Sequence, residues 1–367
     1  MPKTDSAVKT LYLPSTPLNV LVSCALAIQN AKASSKKTMA ELWLIDQKNT
    51  HRNPYYQALL NWQSSPFQNV LIFSAANNNL NKRLTRQQIF CELEAGLKDF
   101  LPQKVAVGSD RRIEFQFVMH SLSSHQMPAL GLYLDDGLYS YAGRPFSLIK
   151  DGINALLKKL AYGFWWQEPK TIGASHWIDQ AWLFSPEQAV RSLKNKERHR
   201  LLPEWFMSSE IKSLSFLVAK ELDYLTENLS SFDVIILISH PNNVKKMSGY
   251  QSRIQFLIRH LSAQGKRVAV KYHPRTEQVD FLNLKDHGAL EVIPAQMAFE
   301  FCLPLFKKEC WVIGDVGTSL FTCKWLRPDL EVMAVLEKSD SFQNQYISLS
   351  QAMKIKVMSQ IEDILEC

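Results

Sequence analysis

Short apolar runs alternating with amphipathic stretches, along almost the whole chain, constrain its fold more than any other feature. An apolar run of about four to eight residues is short for a helix and fits a strand covered on both faces. Helices between such strands make the connections of a parallel α/β sheet. In the first half the runs predict strands at 10–13, 41–46, 70–74, 113–119 and 130–134, with helices at 18–32 and 86–100 among the connections. Thr16 is placed to cap the first helix, and Pro17 suits its first position. In the second half strands are expected at 234–239, 268–271, 290–293, 311–314 and 332–336. The helix ahead of the second of these is well specified. Ile254, Leu257, Ile258 and Leu261 recur at helical spacing, and Gly265 ends the run.

A chain of 367 residues suggests two domains of ordinary size. With 46% hydrophobic and 21% charged residues the chain is globular, and disorder is excluded. Residues 185–231 are richer in charge and helix formers, including Arg191, Lys194, Lys196, Arg198 and Arg200, so a hinge is expected there. The expected domains are therefore 1–185 and 186–367, with hinge helices at about 186–231. The opening, with Lys3 and Lys9 ahead of the apolar residues 11–28, superficially resembles a signal peptide. Pro14, Ser15, Thr16, Pro17 and Asn19 interrupt the run at its centre, which a strand, a turn and a buried helix explain better. No run reaches the roughly 20 apolar residues that span a bilayer, and a cytoplasmic location is expected. Cys24, Cys91, Cys302, Cys310, Cys323 and Cys367 are scattered without metal-ligand spacing, which reads as buried thiols in a reducing compartment and no metal site.

Ligands of open parallel sheets sit beyond the carboxyl ends of the strands, and two motifs fall there. The first is Leu132-Tyr133-Leu134-Asp135-Asp136-Gly137. Adjacent carboxylates repel in a partly dry cleft, which raises one pKa and makes a usable general base, while Gly137 permits a sharp turn. By itself Asp-Gly reads first as a turn. The second is Val270-Lys271-Tyr272-His273-Pro274-Arg275, where a buried strand delivers Lys, His and Arg together, a set suited to a phosphate or a leaving group. A second pair, His240-Pro241, lacks the flanking cations and suits a structural or cleft-lining role.

Asp315-Val316-Gly317-Thr318-Ser319 follows the strand at 311–314 and opens a helix running to about Leu326. Free N–H groups and small hydroxyls at a helix start suit an anion, and ordinary capping by Thr318 or Ser319 explains them as well. Residues 245–275 hold eight Lys or Arg and no acid. A solvated face, an anionic donor or a lipid surface each fit. The formal net charge of +7 is mild, and no nucleic-acid-binding motif occurs, so no nucleic-acid partner is expected.

In this order the motifs resemble the bacterial sialyltransferases, particularly the lipooligosaccharide sialyltransferase and polysialyltransferase families. These families carry an acidic-acidic-Gly motif, a His-Pro motif and a later hydroxyl pair. The counterparts are Asp135-Asp136-Gly137, His273-Pro274 and Thr318-Ser319, with Thr318 where serine is usual; Ser15-Thr16-Pro17-Leu18 resembles the family's opening. The stretch from Val292 to Glu300 is similar to the segment between the last two motifs and gives Glu300 the ribose contact.

The resemblance implies a GT-B fold, two Rossmann-like domains whose parallel sheets face a central cleft, with the acceptor on the first domain and the nucleotide sugar on the second. It implies an inverting, metal-independent transfer of sialic acid from the co-substrate CMP-sialic acid to a glycan or glycolipid acceptor, with no further cofactor. Asp136 or Asp135 would take the acceptor proton, and His273 with Lys271 or Arg275 would stabilise or protonate the leaving phosphate. Gly317, Thr318 and Ser319 would hold that phosphate, and Gly137 and Pro274, which shape the two turns, would join the donor-binding residues. A transferase for another CMP- or CDP-activated group, such as Kdo or glycerol phosphate, and a non-catalytic nucleotide-sugar-binding protein fit the same motifs. The basic, aromatic stretch Leu156, Leu157, Lys158, Lys159, Leu160, Tyr162, Phe164, Trp165 and Trp166 fits an interfacial helix at the inner membrane, a glycolipid lid, or a core helix with two packed tryptophans.

Overall fold

The computed structural model describes residues 7–48, 50–76, 82–144, 147–224, 229–247, 249–315, 317–336, 341–360 and 363–364. The chain divides into two compact units, Met1–Ile211 and Lys212–Cys367.

In the first unit seven strands form one parallel sheet: β1 (Val8–Leu13), β2 (Thr38–Gln47), β3 (Asn69–Ser74), β4 (Lys104–Val107), β5 (Leu130–Leu134), β6 (Gln180–Leu183) and β7 (Glu197–Arg200). Their spatial order is β3-β2-β1-β4-β5-β6-β7, with every neighbouring pair parallel. The order reverses between β1 and β4, which opens a crevice at their carboxyl ends. Leu11 and Leu13 of β1, Val105 and Val107 of β4 and Tyr133 of β5 are buried in one core with Trp43 and Phe115.

One expectation for this unit is corrected. Residues 113–119 form the start of a helix, Ile113–Ser124, and the strand beside β1 is β4, just upstream. The sequence Ile-Glu-Phe-Gln-Phe alternates as a strand would, because this helix also buries its polar side. Glu114 pairs with Arg86 there, and Gln116 donates to the Asp110 carbonyl (2.7 Å). The unit runs to Ile211, within the stretch 186–231 where the hinge was expected, and Glu197–Arg200 adds an edge strand to β6. That strand is Glu-Arg-His-Arg and carries no apolar signal.

Six parallel strands make up the second unit: β8 (Val234–Leu237), β9 (Val268–Lys271), β10 (Glu291–Ile293), β11 (Trp311–Gly314), β12 (Glu331–Val335) and β13 (Lys356–Met358). Their order, β10-β9-β8-β11-β12-β13, repeats the doubly wound pattern, with its reversal between β8 and β11. The helix Tyr250–Ala263 packs Ile254, Leu257, Ile258 and Leu261 on the sheet, as their spacing requires, and Gly265 beyond its end takes a positive φ of 78°. Among the described residues no helix is long and apolar enough to cross a membrane. Cys24, Cys302, Cys310 and Cys323 are buried, whereas Cys91 is exposed, against expectation; Cys367 lies outside the described residues.

Candidate functional site

In the first unit the crevice between β1 and β4 and the adjoining end of β5 hold the acidic motif, and the two carboxylates have different surroundings. Asp135 is fully buried and saturated. It accepts from the amides of Gly137 (2.9 Å) and Phe184 (3.0 Å), from the Ser140 hydroxyl (2.8 Å) and from the Tyr141 hydroxyl. Burial pushes its carboxyl up to about 6, and the four donors restrain the rise. Gly137 makes this possible, since its φ of 94° turns the chain back so that its own N–H meets Asp135.

Asp136 is half-buried. Its Oδ1 accepts from the Asn19 side-chain amide (2.9 Å), and its Oδ2 has no hydrogen-bond partner among the described residues. Burial pushes this carboxyl up to about 7; the Asn19 hydrogen bond and the Arg112 charge pull it down, and Asp135 pushes it up. Asn19 is completely buried in the first turn of helix Pro17–Ala33, which Thr16 caps by accepting from the Asn19 N–H (3.3 Å). Gly108 leaves room for the amide, since a Cβ there would fall 2.1 Å from Asn19 Nδ2. Arg112 donates from Nε to Ser15 (3.1 Å) and pairs with Asp46, while the Ser15 hydroxyl reaches Asn19 Oδ1 (3.5 Å). Asn19 and Arg112 thus frame Asp136. Sequence reasoning passed over both, although an asparagine inside an otherwise apolar helix start was the available signal. Beside them, Arg86, Arg111, Arg112 and Lys158 line a polar pocket with Asp46 and Glu114.

In the second unit the expected residues Lys271–Arg275 and Gly317–Ser319 lie at the carboxyl ends of β9 and β11, on either side of β8, whose end carries His240, while Glu300 follows β10. His273 follows β9. Its Nδ1 accepts from the Arg275 N–H (3.1 Å), so the proton of the neutral ring resides on Nε2. Burial, then the charges of His240, Arg275 and Lys271, pull its pKa down to about 4, and the ring is neutral at pH 7. His240 at the end of β8 has the same geometry, with Nδ1 accepting from Asn242 N–H (3.0 Å). The two rings meet edge to face with centroids 4.6 Å apart. His240 therefore belongs beside His273, a proximity its separate motif did not reveal. Pro274 and Arg275 are exposed.

Lys271 is 4% exposed, and its ammonium donates to the carbonyls of Pro294 (3.2 Å), Ala295 (3.3 Å) and Tyr272 (3.4 Å). Burial lowers its pKa, opposed by the nearby Cys302 and Glu300. It braces the loop leading to Glu300, its ammonium engaged by three carbonyl oxygens. Glu300 lies in the one-turn helix Phe299–Cys302, and burial raises its carboxyl while Lys271 pulls it down.

The helix Thr318–Leu326 begins without a side-chain cap, because Gly317 stands at the capping position. Capping by Thr318 or Ser319 is therefore not their role, and among the described residues the N–H groups of Thr318 and Ser319 meet no hydrogen-bond partner, beside the reversal between β8 and β11. A Cβ at Gly317 would meet nothing within 4 Å. Asp315, just before it, has one buried carboxylate oxygen without a hydrogen-bond partner among the described residues; burial pushes its carboxyl up to about 6, and the Ser239 side chain pulls it down. Among the described residues no group of three or more His, Cys, Asp or Glu is placed to hold a metal ion.

Solved structures resemble the fold over nearly the whole chain. An alpha/beta-galactoside alpha-2,3-sialyltransferase from the luminous marine bacterium Photobacterium phosphoreum superposes with a TM-score of 0.59 at 13% identity, covering 98% of this chain and 100% of that one. The GT-B domain of a sialyltransferase from Photobacterium damselae gives 0.52 at 12% identity, over 94% and 95% of the two chains. The chain has the GT-B fold. GT-B architecture also houses the UDP-GlcNAc 2-epimerase of Neisseria meningitidis, which matches at 0.54 and 13% identity over 98% of this chain and 90% of that one. At such identities the likeness establishes the fold and leaves the reaction to the site. No protein-family model matches the sequence, and no curated protein does.

Proposed function

We propose that the protein is an inverting glycosyltransferase that moves an acidic sugar of the sialic acid type from its CMP-activated form to a hydroxyl of a glycan or glycolipid acceptor. The observation that carries this reading is Asp136, a half-buried carboxylate with one oxygen open and a proton affinity raised to about 7. A base of that strength accepts an acceptor proton at neutral pH.

In the proposed step the acceptor oxygen bonds to the anomeric carbon on the face opposite the nucleotide, and its proton passes to Asp136. The bond from that carbon to the phosphate oxygen breaks, and CMP departs with the electron pair. His273 is neutral with its proton on Nε2, so it donates a hydrogen bond to the departing phosphate and does not surrender a proton from a cationic ring. The open N–H groups and hydroxyls at Thr318 and Ser319 receive the same phosphate. Glu300 is assigned the ribose, and Lys271 keeps the loop before it in place. Asp135 is assigned a positioning role, since its acceptor capacity is filled by the turn that aims Asp136. CMP is a good leaving group, so alignment and charge compensation supply most of the acceleration.

Melting the full chain in the presence of CMP, CDP, UDP or GDP tests the donor. CMP is expected to raise the melting temperature by several degrees, and Ser319→Ala with Thr318→Val to reduce the rise. Stabilisation by UDP or GDP alone would overturn the assignment. The mass of the product made from CMP-sialic acid, CMP-Kdo or CDP-glycerol then identifies the group moved.

A further inference from the structure

The helix Leu148–Tyr162, in the first unit, is amphipathic in the reverse sense to an ordinary surface helix. Its inward stripe is Asp151, Ala155, Lys158 and Tyr162, at i, i+4, i+7 and i+11. Asp151 is tied there to Arg144 (3.2 Å) and accepts from the Ser147 N–H (2.7 Å), and Lys158 pairs with Glu168 (3.2 Å) and lies 4.2 Å over the Trp166 ring. Tyr162 meets Phe90 edge to face. Just past the helix, Trp165 stacks on His120 and Trp166 is buried, so the two tryptophans anchor its end.

The outward stripe is Ile149, Ile153, Leu156 and Leu160 at the same spacing, widened by Leu148 and Leu157. All six are more than half exposed, Leu148 at 80%, and Phe164 beyond the helix is 82% exposed. A helix held by ion pairs on its inner side with its apolar side bare cannot be turned over without breaking those pairs. Contiguous apolar surface of this extent marks a docking face.

We propose that this face docks on an anionic lipid bilayer, with the helix lying in the plane of the headgroups. Charge complementarity selects that occupant. By the helical period, Lys150, exposed, and Lys159, half-buried, flank the apolar stripe on its two sides, and Lys170 follows as a further exposed cation. The acids of the segment, Asp151 and Glu168, are turned inward and paired. An apolar stripe edged by lysines that reach past it is the pattern of an interfacial helix on anionic headgroups. A second copy placed on the same face would set lysines against lysines. The proposal rests on this helix alone and is independent of the donor and the reaction.

The test is co-sedimentation of the full chain with vesicles of phosphatidylcholine, with and without phosphatidylglycerol, beside size-exclusion chromatography without lipid. The protein is expected to sediment with the anionic vesicles, more weakly as salt is raised, and much less with phosphatidylcholine alone. Leu156→Ser with Leu160→Ser should lower binding by about tenfold or more, and Lys150→Glu with Lys159→Glu should abolish the preference for phosphatidylglycerol. Unchanged circular dichroism and melting show that both variants fold. Absence of wild-type binding to either vesicle, or equal binding by the leucine variant, would overturn the proposal. A dimer that the leucine substitutions dissociate, without vesicle binding, would assign the face to a second copy and overturn it too.

Discussion

Replacing Asp136 by asparagine keeps the shape of the side chain and the hydrogen bond from Asn19, and removes only the ionisable proton. Folding raises this carboxyl from the ordinary aspartate value of about 4 to about 7, with burial as the main cause. A raised carboxyl pKa means that the folded chain binds the proton more tightly than the unfolded chain does. Its contribution to stability is therefore full below pH 4 and is lost as pH rises towards 7 and above. Each tenfold change in proton affinity corresponds to about 1.4 kcal/mol, so the whole displacement is worth about 4 kcal/mol; solvent at the open oxygen screens part of it, and about 2 kcal/mol is a fair magnitude. Asp136→Asn should recover that energy at pH 8, raising the melting temperature of the first unit by roughly 4–8 °C, with little change at pH 4. The same substitution should abolish transfer, the usual opposition between stability and a strained functional group. Calorimetry at the two pH values is the assay. A melting temperature at pH 8 equal to or below that of the wild type would refute the argument that Asp136 carries a desolvated charge.

The neighbouring carboxylate should behave in the opposite way. Asp135→Asn places an amide donor against the hydroxyl and amide donors of Tyr141, Ser140, Gly137 and Phe184 and should cost about 2–3 kcal/mol, read as a lower denaturation midpoint at pH 7. Asn19→Ala removes the one donor to the Asp136 carboxylate among the described residues. A hydrogen bond to a charged group is worth about 1.5–3 kcal/mol, so the acidic limb of the kcat/KM profile should move from near pH 7 to higher pH by about one unit or more, with activity largely recovered at pH 9; a uniform loss at every pH would contradict the role given to Asn19.

Most of the strand framework was legible because both sheets bury their central strands, and apolar runs such as Val268–Lys271 and Trp311–Gly314 have no other use. Reading failed where burial and polarity part company. The helix at Ile113–Ser124 buries Glu114 and Gln116 through partners distant in sequence, which disguised it as a strand. Glu197–Arg200 pairs at a sheet edge with solvent on its charged side chains, so its backbone bonds leave no trace in residue type. Among the candidate residues, Asp135, Asp136 and His273 stood out because strand ends with carboxylates or an imidazole are chemically conspicuous. The different surroundings of the two carboxylates were hidden. Which aspartate is saturated depends on the hydroxyls of Ser140 and Tyr141 and the amide of Phe184, which only the folded chain brings together. Lys271, conspicuous for its charge, is consumed by carbonyls of a loop more than twenty residues away.

Initial rates of CMP release with CMP-sialic acid and a glycan acceptor, compared for the wild type, Asp136→Ala and His273→Ala at pH 8, test the proposed transfer most directly. Acceptor-dependent release by the wild type and a fall of at least about a hundredfold in each folded variant are predicted. Near-normal rates from either variant, or release that ignores the acceptor, would contradict the account.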